Sequence, residues 1–430
     1  MTAPARTHRR LLLELLSSYG AAGTRVLCWA VVSGLLYRFA GRDAFATFAL
    51  IRATLGILNY ITLGLAPALL FQLPRSADPA PVLAAARQIA TGTLVVGLAL
   101  SALIGVVANP LLSVGGVPAT SCAVLVGAAM TMRLVSDPAG AVLQSRGRIV
   151  LDNLLLMLAD VAWVALLLAL PTGQLGHIES AGWTLLIASA GLLVVRLASS
   201  RPWRHRHASG DPLVRRRLLR FGAAVTLAQL ADFLYAPAAH ILIRLFVSPP
   251  SVLADYSAAT QIDAALLLVV AGVGTVLLPR ASAAAALGHL DRVRRMYLYA
   301  TAFAFSMLAL AALLTWLLSP WLLPRWFGST MPGTLAILPL VLVHTVLGGS
   351  SVAGRAVLIA TGRVRALTWS VLLAGVANVS LGLAVVTLTD LGVRGIIIST
   401  ILVVAVRCGL WLPWYVLRNS QPPPRRAVPA

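Results

Sequence analysis

Stretches of about 20 apolar residues recur along the whole of this 430-residue chain and are separated by short polar connections. An α-helix rises 1.5 Å per residue, so a stretch of this length crosses a hydrocarbon core about 30 Å thick. Hydrophobic residues make up 59% of the chain and charged residues 11%, too little polar surface for a water-soluble fold. The pattern predicts an all-α membrane protein with twelve transmembrane helices, at residues 17–37, 45–73, 82–108, 118–144, 150–170, 180–199, 218–245, 253–278, 297–322, 333–361, 366–388 and 393–416.

The basic residues indicate how these helices are oriented. All 34 are arginines, and 23 of them lie before the first span, in every second connection or at its edges, or after the last span. The alternate connections and their edges hold five, and a bias of this kind places both termini in the cytoplasm. The net charge of +21 is spread over short connections rather than along one solvated face, so the lipid bilayer is the expected partner and nucleic acid is not.

A weak internal repeat predicts two halves of six spans. Gly64 and Gly272 occupy matching positions, and each of the two stretches ends in Leu-Pro-Arg. Halves with six spans start on the same side of the membrane, as parallel repeats do. The basic connection between them is predicted to be a cytoplasmic linker, although acidic lipid or a partner protein is an alternative use for it. The predicted domains are a lobe at 1–199, a linker at 200–217, a lobe at 218–417 and a cytoplasmic tail at 418–430.

Arginines inside the predicted spans are the strongest functional signal. A guanidinium near the bilayer centre costs from about 2.5 to more than 10 kcal/mol, so it requires a wet cavity or a partner. Arg25 and Arg52 lie near mid-depth with no acid at helical spacing, and Asn59 follows Arg52 at i+7. The sequence predicts a site for an anionic group at Arg25, Arg52, Arg133 and Asn59. Structural salt bridges and side chains that reach the interface are the alternatives.

Buried acids are candidates for ion coupling. Asp232, Asp263 and Asp137 lie within spans, where a carboxylate with a raised pKa is able to carry a proton or bind a cation. Pairing with an arginine is the alternative, and Arg133 with Asp137 at i, i+4 is the expected pair.

The sequence shows no catalytic or metal-binding pattern. The three cysteines have no metal-ligand spacing, and neither a glycine-rich phosphate loop after a strand nor a nucleophile motif is present. We therefore expect no enzyme activity, no metal and no cofactor.

Several segments resemble bacterial polysaccharide-transport flippases of the multidrug, oligosaccharidyl-lipid and polysaccharide exporter superfamily. They include Tyr-Ser-Ala-Ala at 256–259, Ala-Thr-Gly-Arg at 360–363 and Leu-Gly-Val-Arg-Gly at 391–395. The resemblance implies a V-shaped pair of six-helix lobes around a central cavity that opens to one side at a time. Members often carry an acidic-basic pair late in the seventh span, where this chain has Ala239-His240.

The resemblance also implies a cargo and a location. The cargo would be an oligosaccharide on polyprenyl diphosphate, moved from the cytoplasmic to the outer leaflet of the bacterial inner membrane, with the diphosphate bound by the intramembrane arginines. Contacts with polysaccharide-synthesis proteins are a further expectation. The alternatives are a cation-coupled multidrug exporter of the same superfamily, a membrane glycosyltransferase or polymerase that uses the same carrier, and a non-transporting scaffold.

Overall fold

The computed structural model describes residues 4–62, 64–73, 76, 78–200, 211–234, 236–249 and 251–419, and no strand occurs in these ranges. The helices are α1 Pro4–Phe39, α2 Arg42–Leu55, α3 Leu65–Gln72, α4 Ala80–Val107, α5 Asn109–Leu112, α6 Thr120–Ser145, α7 Ile149–Leu168, α8 Thr172–Leu175, α9 Ile178–Ser199, α10 Pro212–Phe233, α11 Ala236–Phe246, α12 Val252–Ala286, α13 Leu290–Phe327, α14 Pro332–Ser350, α15 Val352–Ala360, α16 Val364–Leu388, α17 Gly392–Val404 and α18 Leu412–Asn419.

Eleven helical segments of the described chain are long and apolar enough to cross a membrane. They correspond to all of the predicted spans except the seventh, 218–245. That span is divided into α10 and α11, and α11 contributes a shorter apolar stretch, Pro237–Phe246. A proline close to the start of a helix is tolerated because its missing N–H has no intrahelical partner there, so the division beside Pro237 follows from local chemistry.

The second predicted span, 45–73, is wrong as a single continuous helix. The α-helix ends at Leu55, a 3-10 segment covers Gly56–Tyr60, and α3 begins after Gly64, whose φ of 59° is left-handed. Glycine adopts this conformation without the strain that a Cβ would bring. Asn59 therefore lies on the 3-10 segment, and the i+7 spacing that grouped it with Arg52 does not hold.

By contacts between backbones, the chain divides into two compact units. The first comprises Met1–Ser257 with Trp326–Ser329, and the second comprises Ala258–Arg325 with Thr330–Ala430. In the first unit α10 packs against α3 and α4, and α11 packs against α2. The lobes drawn from the sequence repeat, 1–199 and 218–417, stay a prediction.

Small residues bring α4 and α6 close together in the first unit. Gly97, Ser101 and Gly105 follow one another at four-residue spacing on α4 and face α6. A Cβ on Gly97 would lie 2.5 Å from Thr131, and one on Gly127 would lie 2.5 Å from Ser101. Small residues at this spacing let membrane helices approach until their backbones nearly touch, where dispersion contacts are most numerous. This packing fixes the position of α6, which carries several of the charged side chains described below.

Three polar contacts join α1, α2 and α5 to the later helices of the first unit. The guanidinium of Arg42 pairs with Asp255 at the start of α12. Arg244 donates to the carbonyl oxygens of Leu111, at 3.0 Å, and Ser113, at 2.7 Å. The indole of Trp326 donates to the Ala30 carbonyl oxygen at 2.7 Å. Each of these donors meets an acceptor from a distant part of the chain, so the contacts hold elements that the sequence separates.

The second unit is packed through glycine contacts of the same kind. A Cβ on Gly354 would lie 2.5 Å from Leu412, and one on Gly395 would lie 2.4 Å from Val385. Between α17 and α18 the chain forms a π-helical segment, Ala405–Trp411, which contains Arg407.

Removal of the Asp255 charge is expected to destabilise the protein. Asp255 is buried whereas 40% of the Arg42 side chain is exposed, so the Asp255→Asn variant should lose only about 1–2 kcal/mol of unfolding free energy. Thermal unfolding of the purified protein in detergent measures the loss. The exposed Asp390 provides the control, since Asp390→Asn should leave the melting temperature unchanged. Equal melting temperatures for Asp255→Asn and the wild-type protein would show that the ion pair does not stabilise the fold. The double variant Arg42→Asp, Asp255→Arg, which reverses the two charges, should recover part of the lost stability.

Candidate functional site

The candidate site is built around a carboxylate that lies between two guanidinium groups. Asp160 on α7 is fully buried, and its Oδ1 is 2.6 Å from Nη1 of Arg133 on α6. Its Oδ2 is 3.4 Å from Nε of Arg25 on α1. Arg133 also donates through Nε to the Ser189 hydroxyl on α9 at 3.0 Å. Four helices therefore meet at one ionic cluster, and 48% of the Arg25 side chain remains exposed beside it.

A second cluster has the opposite composition, with one guanidinium between two carboxylates. Arg196 on α9 is buried, and it contacts Asp137 at 2.9 Å and Asp152 at 2.8 Å. Gln144 donates to Asp152 at 2.8 Å. The predicted pair of Arg133 with Asp137 is therefore wrong. Each of these residues pairs across a helix interface, where the opposite charge is closer than its neighbour one turn away on α6.

Arg52 has a different environment from the other three arginines. Its guanidinium carbon lies 4.4 Å from the centre of the Trp29 ring on α1. The Trp29 ring is held in turn by Trp163, edge-on at 4.6 Å between centres, and by Phe48 at 6.0 Å. Arg52 is half-buried and forms no ion pair with any side chain that the structure describes. A cation over an aromatic face is stabilised by roughly 0.5–2 kcal/mol and keeps its full charge available to an anion.

Four arginines and three carboxylates make up the two clusters and the stacked pair, so one positive charge has no matching negative charge among them. Arg25, Arg133 and Arg196 are matched by the three carboxylates that they contact. Arg52 adds a fourth positive charge with no carboxylate of its own among the described residues. Because Trp29 follows Arg25 by four residues on α1, Arg25 and the ring under Arg52 lie on the same side of that helix. Arg25 and Arg52 are thus related through one side of α1, and Arg52 forms no ion pair with a described side chain.

A cavity of about 380 Å³ lies beside the interrupted second span. Its polar lining comes from Asn59, Tyr60 and Thr62 on one wall and from Asp137 on α6. The lining is completed by Gly64, Ala66, Pro67, Leu134 and Pro138. The cavity brings together Asn59, predicted to bind cargo, and Asp137, predicted to couple an ion.

The remaining predicted ion-coupling residues lie elsewhere. The side chain of Asp232 falls outside the residues that the structure describes. Asp263 belongs to the second unit, where it accepts a 2.6 Å hydrogen bond from the Thr345 hydroxyl and lies 3.9 Å from Nδ1 of His344. Among the side chains described, no group of three or more histidines, cysteines, aspartates or glutamates is arranged to hold a metal ion.

Sequence reasoning missed two important members of the site. Arg196 was counted with the basic connections because it lies near the end of a span, yet it is buried between two acids. Trp29 could have been selected from the sequence, because it follows Arg25 at i+4 and therefore lies on the same side of the helix. The i, i+4 rule applied to aromatic residues as well as to acids would have found it.

Residues 16–285 match the sequence model of a family described as "Polysaccharide biosynthesis protein", which covers more than half of the chain. The chain belongs to this family. No curated protein matches it.

Solved structures confirm the fold of this polysaccharide biosynthesis protein. An inward-facing MATE family multidrug resistance transporter of the MOP superfamily is similar with a TM-score of 0.68 and 16% identity, over 96% of this chain and 97% of the other. An outward-facing structure of a MATE family multidrug resistance transporter is similar with a TM-score of 0.69 and 16% identity, over 96% of each chain. A MATE protein in complex with MaL6 is similar with a TM-score of 0.63 and 17% identity, also over 96% of each chain. The prediction of an all-α membrane protein is confirmed, and its fold is the one seen in these transporters.

Loss of the Asp160 carboxylate should strongly destabilise the protein. The Asp160→Ala variant leaves Arg133, of which only 18% of the side chain is exposed, without its closest counter-charge, which costs about 3–5 kcal/mol of unfolding free energy. Replacing Arg133 with Met in the same protein removes the uncompensated cation and should restore part of the stability. Unfolding in detergent measures both effects. The control is Asp390→Ala, which removes an exposed carboxylate and should change stability by less than about 0.5 kcal/mol. Equal stability of Asp160→Ala and the control would show that the cluster does not support the fold.

Proposed function

We propose that this protein is an exporter, namely a flippase for oligosaccharides carried on polyprenyl diphosphate. It moves the lipid-linked precursor of a surface polysaccharide from the cytoplasmic to the outer leaflet by alternating access. The protein lies in the bacterial inner membrane with both termini in the cytoplasm, in keeping with the arginine-rich connections on one side.

The observation that carries this proposal is the unneutralised guanidinium of Arg52. Desolvating a cation is unfavourable unless it later gains a partner, and Trp29 supplies only part of that compensation. A diphosphate supplies the missing negative charge, and its oxygens match the planar fork of an arginine. Arg25, with nearly half of its side chain exposed, is a second donor on the same side of α1. Arg133 contributes mainly through Asp160, which it orients toward Arg25.

The first alternative, a cation-coupled multidrug exporter, depends on a carboxylate that is available for an organic cation. In the first unit Asp137, Asp152 and Asp160 each contact an arginine. The excess charge beside them is positive, which favours an anionic cargo. Asp263 with His344 in the second unit remains the better placed pair for coupling to an ion.

Replacement of Arg52 should impair export. The Arg52→Ala variant loses charge-assisted hydrogen bonds to the diphosphate of about 1.5–3 kcal/mol, which corresponds to roughly 10- to 100-fold weaker binding. Arg52→Lys keeps the charge without the planar fork or the stacking, so it should be intermediate. Surface polysaccharide and accumulation of the lipid-linked precursor are measured in cells that express each variant as the only copy.

The matched control is Arg418→Ala, because Arg418 also lies over a tryptophan, Trp414, at 5.3 Å, but near the exposed end of the last helix. This variant should export normally. Normal export in the double variant Arg25→Ala, Arg52→Ala would remove the proposed cargo site. Drug efflux without precursor accumulation when the gene is deleted would favour the multidrug exporter.

A further inference from the structure

The cavity beside the interrupted second span combines hydrogen-bonding groups with apolar walls. Asn59 offers an amide, Thr62 a hydroxyl and Tyr60 a phenol ring, while Ala66 and Pro67 present only carbon atoms. Its volume of about 380 Å³ falls at the small end of the usual range for ligand sites, about 300–1,000 Å³. An occupant should therefore be compact and amphipathic, with polar groups on its edges and carbon on its faces.

Asp137 determines which class of ligand suits this cavity. One of its oxygens, Oδ1, contacts Arg196, and 46% of the side chain is exposed, so Oδ2 is able to accept hydrogen bonds from a ligand. Arg196, which Asp137 shares with Asp152, and Arg25 both place positive charge near this carboxylate, which disfavours a cation as the occupant. A carboxylate that accepts bonds without needing a counter-charge suits hydroxyl groups. An acyl chain is disfavoured because it would leave Oδ2 of Asp137 and the amide of Asn59 without partners.

The position of the cavity relates it to the arginines of the proposed cargo site. Asp137 follows Arg133 by one turn of α6, a rise of about 6 Å. Arg133 reaches Arg25 through the carboxylate of Asp160. Arg25 also interacts electrostatically with Asp137. The cavity therefore lies next to the guanidinium groups rather than in a separate part of the unit.

We infer that this cavity is a sugar-binding subsite, which takes the sugar nearest the diphosphate of the cargo. The inference rests on the proposed function, which provides a diphosphate at Arg25 and Arg52. Asn59, Thr62 and Asp137 bind the sugar hydroxyls, and the ring of Tyr60 forms one apolar wall. Tyr60 is fixed edge-on by Phe233 at 6.1 Å between ring centres. The subsite allows the exporter to distinguish a loaded carrier from the bare polyprenyl diphosphate that remains after sugar transfer.

Binding to the purified protein in lipid nanodiscs tests this inference. The probes are polyprenyl diphosphate without sugar and the same lipid carrying one glucose, galactose or N-acetylglucosamine. The wild-type protein should bind at least one sugar-bearing probe about tenfold more tightly than the bare lipid, the effect of one or two hydrogen bonds. Asn59→Ala and the cavity-filling Ala66→Phe should reduce this ratio to near one without changing the affinity for the bare lipid.

Further variants separate the subsite from the diphosphate site. Arg52→Ala should weaken binding of all probes to a similar extent and preserve the ratio. Asp137→Asn should reduce the ratio, whereas Asp390→Asn, which changes an exposed carboxylate, should not. Asn59 is exposed and carries no charge, so its variant tests the subsite even where Asp137→Asn lowers expression.

The outcomes distinguish the two proposals. Equal binding of bare and sugar-bearing lipid by the wild-type protein would overturn the sugar subsite and leave the flippase proposal standing. An equal loss for all probes in Asn59→Ala would also overturn it. Failure of the wild-type protein to bind polyprenyl diphosphate in any form would overturn the proposed function itself.

Discussion

The contact of one buried carboxylate with two guanidinium groups is the constraint on which the first unit depends. In a low-dielectric environment, a charge is tolerated only where an opposite charge is close. Asp160 meets that condition for Arg133 and Arg25, and in doing so it draws α1, α6 and α7 to one point. The reverse arrangement around Arg196 joins α9 to α6 and α7. Once these charges are satisfied, Arg52 is the cation left over among the four arginines, and the proposed diphosphate site is built on it.

The large features of the fold could be predicted from the sequence because they follow from summed hydrophobicity. Spans such as 82–108 and 366–388 contain enough apolar residues for local composition alone to determine them, and both are found. The arginines at positions 25 and 52 could also be selected, since any intramembrane guanidinium is costly. These inferences need no knowledge of which helix packs against which.

The partners of those arginines could not be predicted, because they depend on tertiary packing. Arg133 has an acid one turn away at Asp137, yet the close approach of α6 and α7 brings Asp160 nearer. The interruption of the second span was also missed, although Gly56, Gly64 and Pro67 are weak helix formers. In a membrane these residues are common inside continuous helices, so their presence alone does not locate a break. The cavity beside this interruption could therefore not be predicted from the hydrophobic pattern of the sequence.

The stack of Arg52 on Trp29 has an electrical consequence. An aromatic ring carries no net charge, so the site is positive when empty, and a guanidinium remains protonated at any physiological pH. Such a site cannot discharge an anion by losing a proton. Under the proposed function, the empty and occupied forms differ by the whole charge of the cargo, so transport moves net charge unless an ion coupled at Asp263 and His344 balances it. Each elementary charge that crosses the bilayer is then subject to about 2.3 kcal/mol per 100 mV of membrane voltage.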